Sequence, residues 1–249
     1  MCTLTWITLG DGYFVAFSRD ERRSRAPGSG PRLLERGGVK AIAPIDAEAG
    51  GTWILVNELG MTLALLNGYR FQDPKKFRGG DAGVWNSRGE LAMNAGEAAN
   101  VSEVADRLAS FELARYRPFE LVAFDASGAV SIASWNGSAL EQRALNLGDR
   151  PLVSSSFDDC GARKARRAEF VRLVPAQSSV HELERFHASH APSRGPYSPC
   201  MHREDAHTVS FSRVQVSADE VELSYQPQSP CAGMASERIA IPRRVVARH

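Results

Sequence analysis

Residues 1–21 read MCTLTWITLGDGYFVAFSRDE, and this stretch decides the fold. Thr3–Leu9 alternates β-branched, aromatic and polar residues, Asp11-Gly12 is a turn signal, and Tyr13–Phe17 reads as the partner strand. A hairpin that begins at the second residue puts Cys2 at the start of one strand and Ser18-Arg19-Asp20-Glu21 at the end of the other. In an antiparallel pair those ends are neighbours, so a charged quartet is expected beside a thiol. Removal of Met1, which the small Thr3 does not hinder, would leave Cys2 with a thiol and a free α-amine. A thiol of pKa ~8.5 is a weak nucleophile at neutral pH, and an α-amine of pKa ~7.7–8.0 can accept its proton. One residue then supplies both nucleophile and general base. Taken alone, Cys2 also reads as merely a small second residue.

Working outward, Arg22–Arg36 is rich in Arg, Ser, Gly and Pro and reads as an exposed loop. Thr52–Asn57 and Met61–Leu66 form a second hairpin ending at Asn67-Gly68, followed by a polar loop over Arg70–Gly83 that would border a pocket. Val101–Tyr116 has helical periodicity with Asn100 or Ser102 as N-cap, and Pro118 ends it. Phe119–Phe124 with Ala129–Ser134, and Thr208–Val216 with Glu220–Tyr225, give two further hairpins. Ala162–Val174 and Ser179–His190 read as helices separated by Pro175. Antiparallel hairpins with helices grouped in the middle indicate an α+β fold. Strands apolar on both faces, such as Trp53–Val56 and Leu63–Leu66, require sheets covered on both sides, a stacked sandwich. No repeat or low-complexity linker interrupts the chain, so residues 1–249 are expected to form one domain.

A hydrophobic content of 43% with 24% charged residues is that of a globular chain, which excludes disorder. A net charge of +1 gives no general electrostatic reason to bind nucleic acid or an anionic membrane. The basic clusters Arg163-Lys164, Arg166-Arg167 and Arg243-Arg244 read as solvated faces or tails. The N-terminus lacks the basic and apolar regions of a secretory signal, no apolar run is long enough to span a membrane, and the four cysteines show no short paired spacing. A cytoplasmic protein with reduced thiols is expected.

Met1-Cys2-Thr3, Ser18-Arg19-Asp20-Glu21 and Gly50-Gly51-Thr52-Trp53 together resemble the NRDE family, which includes the transport-and-Golgi-organisation proteins. The likeness continues through Asn57, Leu63–Asn67, Ser87-Arg88-Gly89, Tyr116–Leu121, Ser154-Ser155-Ser156, Arg167–Phe170 and Cys200–Ala206. Position 18 departs from the family quartet, carrying Ser where the name requires Asn. The family in turn is similar to N-terminal nucleophile hydrolases of the penicillin V acylase and bile salt hydrolase type. That resemblance implies a four-layer αββα sandwich of two antiparallel sheets with outer helices.

It also implies chemistry. Cys2 would attack a carbonyl carbon after loss of Met1, Asp20 would hold the α-ammonium, and Arg19 would lower the thiol pKa beside the substrate carbonyl. The other reading of Arg19 and Asp20 is a surface ion pair. Asn67 is the candidate oxyanion donor, with an Asn-Gly turn as the competing account; the related hydrolases use a later Asn as well, where this chain has Ser154-Ser155-Ser156. Arg203 and Asp205 lead into a strand and are candidate pocket-wall residues, or an ordinary ion pair. His187, His190, Cys200, His202 and His207 offer zinc-type donors without CxxC or HExxH spacing, so no metal ligand and no cofactor is assigned. The expected function is an N-terminal cysteine hydrolase that cleaves or transfers the acyl group of a small non-peptide amide through a thioester at Cys2. The alternative is a non-catalytic protein that binds a lipid-like, acyl-CoA or haem-type ligand; a third class is redox or metal sensing through Cys200. The partner is a small molecule, and the sequence leaves room for a homo-oligomer.

Overall fold

The computed structural model describes residues 2–72 and 85–245. Cys2–Leu9 (β1) and Gly12–Arg22 (β2) form the N-terminal hairpin. β2 runs five residues past the expected Phe17, because it also pairs with Ala206–Val216 (β11), with Asp20 opposite Thr208 and Arg19 opposite Ser210. Arg19 and Asp20 therefore lie within a strand and not beyond its end.

Two antiparallel sheets stack face to face. Leu152–Ser154 (β10), β1, β2, β11, Glu220–Gln226 (β12) and Glu237–Pro242 (β13) make a six-stranded sheet in that order. The other has seven strands, in chain order: Ser29–Arg36 (β3), Val39–Ile45 (β4), Ile54–Asn57 (β5), Thr62–Asn67 (β6), Phe119–Phe124 (β7), Val130–Trp135 (β8) and Leu140–Ala144 (β9). Side chains alternate across each strand. Leu4, Trp6, Val15 and Phe17 enter the space between the sheets and meet Val56, Leu66, Val122 and Phe124. The opposite faces are covered by helices. Arg88–Ala95 (α1) and Val101–Ala109 (α2) bury Leu91, Val104 and Leu108 on Leu63 and Leu121 of the seven-stranded sheet. Asp159–Leu173 (α3) and Val180–Ala188 (α4) bury Phe170, Leu183 and Phe186 on Ile7, Phe14 and Ala16 of the other. The architecture is α+β, a four-layer αββα sandwich.

Several sequence expectations change. The loop expected over Arg22–Arg36 contains β3, whose charged Arg32, Glu35 and Arg36 are compatible with a strand because β3 is a sheet edge with one open flank. The helix expected to reach Tyr116 stops at Ala109, where the Ser110 hydroxyl donates to the Arg107 carbonyl (2.7 Å); a 3-10 turn at Leu113–Arg115 follows. Asn100 is the N-cap, accepting from the Ser102 and Glu103 amides. Of the loop expected over Arg70–Gly83, a 3-10 turn at Tyr69–Phe71 reaches into the described residues, and 73–83 lie outside them. No described helix is long and apolar enough to cross a membrane.

Candidate active site

The site is built at the start of β1. Cys2 lies directly opposite Arg19 on one side and Ser154 on the other. Residues opposite one another in an antiparallel pair share a face, so the Cys2 thiol and the Arg19 guanidinium both belong to the inter-sheet side. Cys2, Arg19, Asp20 and Asn67 all line one cavity of roughly 330 Å³. Asn67 arrives from the other sheet, at the end of β6.

Cys2 is 6% exposed, and burial pushes its thiol up from the ordinary value, with Arg19 among the groups pulling it back. The thiol thus needs a base to become a nucleophile. Arg19 stacks over the Trp53 ring at 4.3 Å and donates to Asp46 Oδ2 at 2.9 Å, with Glu21 at 3.6 Å. A planar guanidinium clamped on an aromatic face and a carboxylate has little freedom left. Asp46 is buttressed in turn: burial would raise its carboxyl, but Arg25 at 3.0 Å and the Ala49 amide outweigh it and hold it below the usual range.

Asp20 lies on the opposite face of β2, beneath α3. Its Oδ2 accepts from Arg166 Nη2 at 3.0 Å and its Oδ1 from the Thr208 hydroxyl at 2.6 Å. Arg166 has no exposed side-chain surface and also donates to the Thr3 hydroxyl. The sequence reading took Arg166 for part of a solvated basic run. The period of α3 turns Arg163 and Arg167 away and points Arg166 at the sheet, where the buried Asp20 carboxylate compensates the charge.

Ser18, the departure from the family quartet, also points to this helix side. Its hydroxyl is 2.7 Å from His187 Nδ1, and the Thr5 hydroxyl is 2.9 Å from Nε2. The substitution at position 18 is therefore absorbed under α4 and is absent from the cavity lining. His187 is fully buried between the rings of Phe186 and Phe211, and burial lowers its pKa to about 3.

The remaining walls were not anticipated as site. Thr52-Trp53 forms one, and Trp85–Gly89 with Arg117 another. They meet at two glycines. A Cβ on Gly51 would lie 2.5 Å from the Gly89 carbonyl carbon, and one on Gly89 would lie 2.9 Å from the Thr52 amide. That contact explains why the Gly-Gly-Thr-Trp and Ser-Arg-Gly motifs occur together: only residues without Cβ let the two walls touch. Among the described residues neither Arg88 nor Arg117 has an ion-pair partner; Arg88 donates to the Pro118 carbonyl at 3.0 Å. Asn67 Nδ2 donates to the Tyr69 hydroxyl at 2.9 Å.

Other candidates fall elsewhere. Arg203 pairs with Asp205 at 2.8 Å and stacks on Phe157; neither residue is part of the cavity lining, and Asp205 is largely exposed. Asn57 is buried as a turn fastener, donating to the Gly96 and Ala98 carbonyls and accepting from the Leu59 and Met61 amides. Ser154 is buried beside Cys2, and its hydroxyl has no hydrogen-bond partner among the described residues.

The model of the Transport and Golgi organisation 2 family matches residues 1–182. The chain belongs to this family. Compared with curated protein sequences, it has no significant match. Among solved structures, the family chain is similar to penicillin V acylase from Agrobacterium tumefaciens, with TM-score 0.54 and 12% identity over 97% of this chain and 86% of that one. An N-acylethanolamine-hydrolyzing acid amidase orthologue from Caenorhabditis elegans aligns with TM-score 0.55 and 13% identity, covering 86% and 92%. Conjugated bile acid hydrolase from Clostridium perfringens gives 0.53 and 12% over 97% and 92%. At such identities the likeness shows the fold alone, the αββα sandwich that this chain shares with these three proteins.

Proposed function

We propose that this family member is an N-terminal cysteine hydrolase acting on a small non-peptide amide or related acyl compound. The observation that carries the reading is the convergence of Cys2, Arg19, Asp20 and Asn67, from three strands of two sheets, on one cavity. With Met1 removed, the α-amine of Cys2 takes the thiol proton and the sulfur attacks the carbonyl carbon. Asn67 Nδ2 donates to the developing oxyanion, and Asp20, fixed by Arg166 and Thr208, holds the α-ammonium. The C–N bond then breaks, the α-ammonium gives its proton to the leaving amine, and an acyl-thioester remains on Cys2. Water attacks the thioester, the C–S bond breaks, and the proton returns through the α-amine to the thiol. Acylases and amidases on the same fold support the reaction type, and the bile acid hydrolase was solved as a variant in which the cysteine at its second position is replaced by alanine. Arg88 and Arg117 on the far wall favour a substrate carrying an anionic group.

Intact-mass measurement tests the reading. The purified chain is expected to lack Met1 and to gain one acyl group from an activated ester, and a Cys2→Ala variant is expected to gain none. Quantitative retention of Met1, or an unchanged adduct in Cys2→Ala, overturns the mechanism.

A further inference from the structure

Outside the cavity, the fold gathers four side chains that no sequence spacing joins. His190 follows α4, Cys200 and His202 lie in the loop before β11, and Cys231 sits in a 3-10 turn, Pro230–Ala232, between β12 and β13. One donor atom from each lies within 4.8 Å of all the others. His190 Nε2 and His202 Nε2 are 3.2 Å apart, and both Cys200 Sγ and Cys231 Sγ are 3.4 Å from His202 Nε2. We propose that these four residues form a structural zinc site of Cys2His2 composition.

Two arguments carry it. The first is hydrogen-bond capacity. An imidazole nitrogen offers one lone pair or one proton, yet His202 Nε2 has three polar neighbours within 3.4 Å. Hydrogen bonds satisfy one of these contacts, whereas a cation between the four atoms satisfies all of them. The second is geometry. With Zn–N of about 2.0–2.1 Å and Zn–S of about 2.3 Å, a tetrahedron has N–N edges of about 3.3 Å and N–S edges of about 3.6 Å. The three separations at His202 Nε2, 3.2, 3.4 and 3.4 Å, are already close to these edges. Supporting contacts hold the donors in place: the Cys200 amide donates to the Ser189 carbonyl at 3.0 Å, the Ser198 hydroxyl donates to the Cys200 carbonyl at 2.7 Å, and the Ser229 hydroxyl lies 3.3 Å from Cys231 Sγ.

Four protein donors leave no open position, which makes the site structural and not catalytic. Zinc there would tie Cys231, which lies beyond β11 and β12, to the segment that carries His190, Cys200 and His202. The loop with Cys200 and His202 leads into Thr208, whose hydroxyl accepts from the Met201 amide and donates to Asp20. The metal thus braces the support of Asp20 without touching the cavity. His187 and His207, considered with this group from sequence, are not among the four donors; Cys231, which was not considered, is.

The test uses the full chain, untagged and purified under reducing conditions. Elemental analysis is expected to find about one zinc per chain, and cobalt exchanged into the site should give tetrahedral d–d bands with a thiolate-to-cobalt charge-transfer band. Cys231→Ser and His190→Gln alter accessible donors, and each should weaken zinc binding by more than the ~10–100-fold typical of losing an outer-shell partner. Cys160→Ser, an exposed thiol on α3, should leave zinc content unchanged. The proposal is overturned if the reduced chain holds no zinc after incubation with the metal, or if both donor variants keep it. A Cys200–Cys231 disulfide with no zinc in protein mapped without reduction would also overturn it.

Discussion

Acidification should unfold this protein through His187. The ring is fully buried, both nitrogens are held by hydroxyls of Thr5 and Ser18, and the surroundings offer aromatic rings and the Arg166 cation in place of an anion. Burial first, then Arg166, lowers the pKa from the ordinary 6.5 to about 3. Between those values the unfolded chain binds a proton that the folded chain refuses, so stability rises with pH and falls as the solution is acidified. The slope is about 1.36 kcal/mol per pH unit, and going from about pH 7.5 to about pH 4.5 removes about 2.6 kcal/mol. The figure tolerates an error of a unit in the folded pKa, because about pH 4.5 still lies above it. A His187→Gln variant keeps an amide able to donate and accept but cannot be protonated there. Urea unfolding followed by tryptophan fluorescence at the two pH values gives the comparison, and carboxylates that titrate in both proteins cancel. Wild type should lose roughly 2–3 kcal/mol more than the variant. Equal losses in the two proteins would refute the assignment of a neutral, buried His187. Because its hydroxyl partners lie on β1 and β2, the strands carrying Cys2 and Arg19, acid loosening should reach the cavity as well.

Two further outcomes separate chemistry from scaffold. Asn67→Ala should slow acyl-enzyme formation by ~100–1,000-fold in stopped kinetics, the usual loss for an oxyanion donor, while urea stability changes by less than ~1 kcal/mol; a rate within about threefold of wild type would remove Asn67 from the reaction. Arg166→Met should cost about 3–5 kcal/mol by removing the buried cation paired with the Asp20 carboxylate, lowering Tm by roughly 6–20 °C, and calorimetry showing a shift under ~2 °C would contradict the buried pair.

The hairpin, the register logic that sets Arg19 beside Cys2, and the layering of helices on sheets were legible because they rest on local signals. Alternation, turn chemistry and helical periodicity are encoded in neighbouring residues. The strands that escaped the reading include all four sheet edges: β3, β9, β10 and β13. β3, β9 and β13 are stabilised from one flank and carry charged, exposed side chains, so they have no clean apolar alternation to betray them, whereas β10 is buried but only three residues long, too short to show a period. The same blindness applied to Arg166, which looks like its basic neighbours until the pitch of α3 turns it into the sheet.

By itself the sequence determined the fold class, the family and three residues that meet at the start of β1, since a hairpin makes neighbours of chain segments separated by one turn. Only the tertiary structure decided the rest. Asn67 had to be carried in from the second sheet, the Gly51–Gly89 contact had to join two cavity walls, and Cys231 had to be brought to His190, Cys200 and His202. Each depends on packing between elements far apart in the chain. No local pattern records such a meeting, because burial and backbone pairing across the whole sandwich fix it.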